Sequence, residues 1–140
     1  MKSYPKKKTK SKSYWKKRAW QMFSKWIRLS HTDKFNQFIE CYTCGIRKAW
    51  DEMDTGHGIE GRNNAVLFME EIVKPQCKQC NIFKHGNLRV FTLKLLDELG
   101  HSRYKQLLDK SNQTEQYKAY QLEDIYETYK KKVEGLSNKT

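Results

Sequence analysis

Beginning near Ser13, apolar residues recur at helical spacing: Trp15, Ala19, Met22, Phe23, Trp26 and Ile27 share one face, while Lys16, Lys17, Arg18, Lys25 and Arg28 fill the other. This pattern predicts an amphipathic helix that docks by an aromatic stripe and turns its cations outward. The aromatic side chains suit a core better than a base-stacking platform, because stacking groups need not follow a helical stripe. A second short helical piece is expected over Asp33 to Ile39. Short strands are expected over Ala49 to Met53 and Ala65 to Met69, flanking an Asp-Thr-Gly-His element and a Gly-Arg-Asn-Asn turn. Asn81 is expected to open a short helix ending near Gly86-Asn87. Further on, Leu88, Phe91, Leu95, Leu96 and Leu99 form one apolar face, stopped by Gly100 in the C′ position that favours glycine. Tyr104, Leu107 and Leu108 suggest another short helix, and Leu122, Ile125, Tyr126, Tyr129 and Val133 a last amphipathic one. These C-terminal helices read as completing a core or as an oligomer face. No internal repeat is visible.

Composition adds a constraint on stability. Hydrophobic residues make up 37% of the 140-residue chain, so the core of what reads as one domain with an appended arm must be small. No apolar run approaches the length needed to cross a bilayer, and the lysine-bearing start lacks a signal-peptide apolar stretch. A cytoplasmic protein without a membrane partner is expected.

Charge is the more telling quantity. The formal net charge is +12, and the first 30 residues hold eleven Lys or Arg and no acid. Beyond them, 17 basic residues stand against 16 acidic. A basic arm of this kind, including Lys6, Lys7 and Lys8 and then Lys16, Lys17 and Arg18, is a counter-surface for phosphate backbones and gives salt-sensitive affinity for nucleic acid. A solubilising tail or a patch for anionic membranes is the simpler alternative. Residues 1–12, rich in Lys, Ser and Thr, are expected to be disordered without a partner.

The four cysteines all fall in two Cys-x-x-Cys pairs, Cys41 with Cys44 and Cys77 with Cys80. Paired in this way, with none left over, they suit one closed tetrahedral zinc site; a redox role is disfavoured by the absence of a thioredoxin-like pattern. A whole structural element, residues 45–76, loops out between the pairs. It contains Asp54-Thr-Gly-His57, and Asn81 follows the last cysteine directly. One carboxylate and one amide oxygen, from Asp54 and Asn81, are adequate for a hard cation such as magnesium, with manganese an acceptable substitute. His57 fits a general base, with Gly56 and Gly58 leaving room for a DNA backbone. The competing view makes His57 a satisfied structural histidine and Asp54 a turn cap.

CxxC, then D-x-G-H, then Q-C-x-x-C-N-x-x-K-x-G-N resembles the HNH or ββα-metal nucleases. More closely, it is similar to the phage NinG/Rap recombination nucleases, over a stretch from roughly Trp26 past Asn87 and into the helical tail. Phage endonuclease VII is similar in the same elements. The resemblance implies an α+β fold, with a zinc-clamped ββα-metal core over residues 41–87. A basic arm (1–12) and a basic helical segment (13–40) would precede that core, and a helical segment (88–140) would follow it. It further implies zinc on Cys41, Cys44, Cys77 and Cys80, His57 as general base, and magnesium on Asp54 and Asn81. Lys84 matches a lysine that would face a phosphate. The implied substrate is branched DNA such as D-loops and four-way junctions, cut within a phage-infected cell's cytoplasm, with a homodimer natural for paired cuts. Arg62 and Lys84 are candidate supports for the charged transition state. His85, where the family often has a small residue, is a candidate metal or phosphate contact or a plain surface residue. Two departures stand out: Ile72 replaces a loop-bracing asparagine, and Gly58 replaces an aromatic, which is expected to loosen the histidine loop. A sequence-reading or nicking HNH enzyme and a non-catalytic zinc-stabilised DNA-binding protein remain the alternatives.

Overall fold

The computed structural model describes residues 10–60 and 64–137. Lys6, Lys7, Lys8 and most of the arm expected to be disordered lie outside the described residues, as does Arg62. Helix α1 spans Lys12–Ser30, opened by Ser11, whose hydroxyl accepts from the Tyr14 N–H at 3.2 Å. Its aromatic stripe packs along the last helix, α4 (Ala119–Ser137). Phe23 and Tyr129 meet edge to face with ring centres 4.9 Å apart, and the Arg18 guanidinium donates to the Tyr126 hydroxyl at 2.8 Å. Helices α1 and α4 therefore close one core. Helices α2 (Leu88–Leu99) and α3 (His101–Ser111) meet at Gly100, whose φ of +82° turns the chain between them.

Among the described residues, four short strands form two antiparallel pairs. Strands β1 (Phe38–Glu40) and β2 (Arg47–Ala49) enclose the first cysteine pair. Strands β3 (Asp54–His57) and β4 (Val73–Gln76) pair Asp54 with Gln76 and His57 with Val73. After β4 the second cysteine pair leads into a single π-helical turn, Gln79–Phe83. The architecture is thus α+β, with helices around two small sheets.

Among the described residues, buried side chains form two core clusters. The larger joins Phe23 and Ile27 of α1 to Ile59, Val66, Ile72, Val73, Phe91, Leu95 and Leu107. The smaller contains Ile39 and Met53 with Cys41, Cys77 and Cys80, so sulfur supplies much of its packing.

Three expected elements are replaced. Over 33–37 the chain makes a turn instead of a helix. Asp33 and Asn36 side-chain oxygens accept from the N–H groups of Phe35 and Phe38 at 2.8 and 3.0 Å, drawing the backbone away from helical pairing. Residues 50–52 form a 3-10 turn between the two hairpins, and the strand begins only at Asp54. The apolar run 65–69 folds as consecutive turns, with Ala65, Val66 and Leu67 all buried; a half-exposed strand would alternate. The pairing strand is Val73–Gln76, whose Lys74, Pro75 and Gln76 look polar or strand-breaking in sequence. Lys74 is nevertheless buried because its ammonium pairs with Glu98 at 3.0 Å.

Both glycines beside His57 serve packing and do not open a path for DNA. A Cβ on Gly56 would collide with the buried Gln76 side chain. One on Gly58 would lie 2.6 Å from the Phe91 ring and against Leu95. Gly58 is therefore what lets α2 approach the His57 strand, and an aromatic there would drive the two apart. The expected loosening of the loop is corrected: the Gly58 N–H donates to the Ile72 carbonyl at 2.7 Å, and Ile72 itself is a fully buried core residue. Gly58→Ala should cost about 1–3 kcal/mol of stability by overpacking. A urea midpoint equal to wild type would show that α2 yields at no cost.

Candidate metal centre and adjoining cavity

The cysteine turns are shaped by backbone hydrogen bonds. In the first, Gly45 adopts a φ of +81° and its N–H donates to the Cys41 carbonyl at 2.9 Å, while the Cys41 N–H donates to Ile46 at 2.8 Å. The Tyr42 N–H then donates to the Pro75 carbonyl at 2.9 Å, tying this turn to β4. In the second, the Cys80 N–H donates to the Cys77 sulfur at 3.4 Å. All four Sγ atoms lie within 4.8 Å of one another, with Cys44 and Cys77 at 3.7 Å. Tetrahedral thiolates each about 2.3 Å from a zinc ion would stand roughly 3.8 Å apart, so the four could hold one zinc.

Electrostatics point the same way. Cys44 is exposed, yet desolvation of its sulfur by the neighbouring protein pushes its thiol up, and burial also raises Cys77. Burial opposes ionisation of Cys41 too, but the Thr43 hydroxyl and the N–H groups of Cys77, Cys44 and Thr43 outweigh it and bring this thiol down to about 6. Without a cation the cluster ionises unevenly; a divalent ion removes the penalty for four thiolates together.

Adjoining the cluster is an open cavity of about 300 Å³, lined by Thr55, His57, Ile59, Glu60, Asn81, His85, Gly86 and Leu88. Alternation along β3 turns Thr55 and His57 to this side. Asp54, one residue before, does not line the cavity but is joined to it through Asn81, whose amide donates to the Asp54 carboxylate at 3.1 Å. The other Asp54 oxygen pairs with the Lys78 ammonium at 2.7 Å. The structure therefore brings together Asp54, His57 and Asn81.

His57 is held on two sides. Its Nε2 lies 3.3 Å from the Leu67 carbonyl, which can only accept, so this contact favours the tautomer with the proton on Nε2. The Trp20 indole stacks on the imidazole with ring centres 4.9 Å apart and planes 22° from parallel. Neither partner was singled out from the sequence. Trp20 lies one residue past Ala19 on the predicted helix, a usable signal, but a main-chain carbonyl leaves no mark on residue type. Leu67 is positioned from afar. The Asn64 carbonyl accepts from the Tyr117 hydroxyl at 2.9 Å, and Phe68 packs edge to face on Phe23.

The remaining candidates are distributed unevenly. His85 is exposed yet borders the cavity, on a turn where His85, Gly86 and Asn87 have φ of +49°, +89° and +47°. Three left-handed residues in succession are held there by the Gly86 N–H to the Cys80 carbonyl at 2.9 Å and by Gln76 donating to the Gly86 carbonyl at 2.8 Å. Lys84 is exposed on the same turn and does not line the cavity. Lys16 and Lys17 are exposed on α1, whereas Arg18 is engaged with Tyr126 and stacks over its ring at 4.9 Å.

Fold and site together define a small α+β protein organised around a four-cysteine cluster able to hold zinc. The chain belongs to the NinG family: the model for the bacteriophage lambda NinG protein matches residues 2–139. It is 26% identical over 130 residues to the ninG proteins of Escherichia phage lambda and Escherichia phage 933W, and equally to that of Enterobacteria phage VT2-Sa. The alignments cover 92% of this chain but only 60–61% of those relatives, so the chain spans under two thirds of their length. No solved structure matches it. Among the described residues, no helix is long and apolar enough to cross a membrane.

Proposed function

We propose that this protein is a metal-dependent DNA endonuclease with an HNH-like ββα core, acting on branched recombination intermediates such as D-loops and four-way junctions. The carrying observation is the convergence of Asp54, His57 and Asn81, from β3 and from the turn after Cys80, beside one cavity. The order β3, β4 and a helical turn supports the ββα reading, with the cysteine cluster fastening its ends.

The donor set fits a hard cation: Asp54 offers a carboxylate and Asn81 an amide whose oxygen and nitrogen exchange places on a flip. Magnesium, or manganese, held there would supply charge neutralisation at the scissile phosphate and the departing 3′ oxygen. His57 Nδ1 accepts the proton of the attacking water, with Leu67 fixing the tautomer and Trp20 the plane of the ring. The expected products carry 5′-phosphate and 3′-hydroxyl ends. Lys84 and, beyond the described residues, Arg62 are the cations assigned to the phosphate.

Lys78 competes for Asp54. Its removal in Lys78→Ala should lower the magnesium concentration for half-maximal cutting several-fold, since a cation 2.7 Å from the carboxylate opposes a second one. An unchanged magnesium midpoint would count against Asp54 as a ligand.

The direct test is cleavage of a labelled four-way junction against a linear duplex of matched sequence in magnesium. Preferential junction cutting supports the full proposal. Equal cutting removes the branch preference, and tight binding with no cutting leaves a zinc-stabilised DNA-binding protein. Paired cuts call for two active sites, for which a homodimer through the C-terminal helices is the natural arrangement. A monomer mass by light scattering, with and without junction DNA, would remove the dimer.

A further inference from the structure

A second cavity, of about 440 Å³, lies on the other side of His57's supports. It is lined by Ser13, Lys16, Lys17, Trp20 and Leu67. Two of these residues hold His57: Trp20 stacks on its ring, and the Leu67 carbonyl accepts from its Nε2. The two cavities are thus linked through the histidine of one and its two supports in the other. Among the described residues the lining holds two cations and a hydroxyl and no carboxylate, and neither lysine is in an ion pair. Lys16 and Lys17 are exposed, so their ammonium groups reach the cavity mouth without a desolvation penalty.

We infer that this cavity is a phosphate subsite for the DNA strand that crosses His57, with Lys16 and Lys17 gripping a phosphate neighbouring the one placed for cleavage. The inference rests on the nuclease reading for its geometry, but its content is a binding site. A strand lying over His57 and continuing past Trp20 would meet, among the described residues, the cavity that bears these two cations. An ammonium paired with a phosphate oxygen gives a strong charge-assisted hydrogen bond at one position, whereas a diffuse basic surface spreads its effect along the backbone. The arrangement also gives α1 two roles, divided along its length. Phe23 and Ile27 are buried in the core, while Lys16 and Lys17 meet the strand.

The test is phosphate-by-phosphate neutralisation. A labelled branched DNA is prepared with one methylphosphonate at a time, and its dissociation constant for the full chain is measured by anisotropy without divalent cation, so that cutting plays no part. Wild type is compared with the Lys16→Ala/Lys17→Ala double variant, and with Lys12→Ala as a control on the same helix outside the cavity. We expect one phosphate, or two adjacent ones, whose neutralisation weakens wild type about five- to tenfold and has little further effect in the double variant. Lys12→Ala should weaken all positions slightly and abolish none of this coupling. Equal thermal midpoints establish that the variants fold.

Coupling spread evenly over the strand, or absent at every position, would overturn the subsite. So would loss of inorganic phosphate binding in the double variant without any strand position responding, since that outcome describes a free-anion site. If the coupling appears but the wild-type chain never cuts DNA in magnesium, the subsite stands and the nuclease reading falls.

Discussion

His57→Ala is expected to reduce junction cutting by about two to four orders of magnitude while leaving junction binding within roughly twofold. The size of the loss follows from the ring's position. With Nε2 directed at the Leu67 carbonyl, Nδ1 is the nitrogen assigned to the proton transfer, and among the described residues no histidine other than His85 borders the cavity with it. Binding should survive because the cations expected to meet DNA, on α1 and on the turn bearing Lys84, are left in place by the substitution. Removing the imidazole also removes a stacking partner of Trp20, so the thermal midpoint must be measured beside the activity. Undiminished cutting by a folded His57→Ala chain would falsify the general-base assignment. His85→Ala then becomes the next variant, because its turn places a second imidazole at the same cavity.

Removing zinc should have the largest effect on stability. Besides its cysteines the smaller cluster holds only Ile39 and Met53 among the described buried side chains, with Trp50 packed against them, so little remains when the metal is taken away. Chelation, or Cys77→Ser, should lower the thermal midpoint by about 10 °C or more, since structural zinc contributes on the order of 10 kcal/mol in small metal-organised domains. Cutting should disappear with it. The Asn81 N–H donates to the Cys77 carbonyl at 2.9 Å, and the Asn87 amide lies 3.7 Å from the Cys80 sulfur, so the turn carrying Asn81 and His85 is fastened at both ends to the cluster. Much of the helical circular dichroism should persist, because the packing of α1 on α4 contains no cysteine. Acid should act as chelation does: thiols must ionise to bind, so zinc is retained at neutral pH and lost as pH falls. An unchanged melting transition in excess chelator would sink the structural-zinc assignment.

Much of the site was legible because its signals are local. CxxC turns announce themselves by spacing, Asp54 and His57 lie in one four-residue strand, and Asn81 adjoins the last cysteine. The helices over 88–99, 101–111 and 119–137 were legible for the same reason, since a repeating apolar face and a terminating glycine depend on neighbours in the chain. The strands were not. Val73–Gln76 is buried because Thr43 accepts from Gln76 at 3.0 Å and Glu98 neutralises Lys74, partners 33 and 24 residues away. The run over 65–69 looked like a strand because hydrophobicity marks burial without specifying the backbone shape that achieves it.

The roles of single residues divide along the same line. Residue chemistry and short-range order, which need nothing beyond the adjacent chain, made the sulfur cluster, the basic first helix and the Asp–His–Asn set readable from sequence alone. Only the tertiary structure decided that Gly58 is a contact for Phe91, that Arg18 turns to Tyr126, and that Trp20 and the Leu67 carbonyl hold His57. Each of these depends on two distant segments meeting at one register. That register is set by the packing of the whole core, which no local pattern encodes.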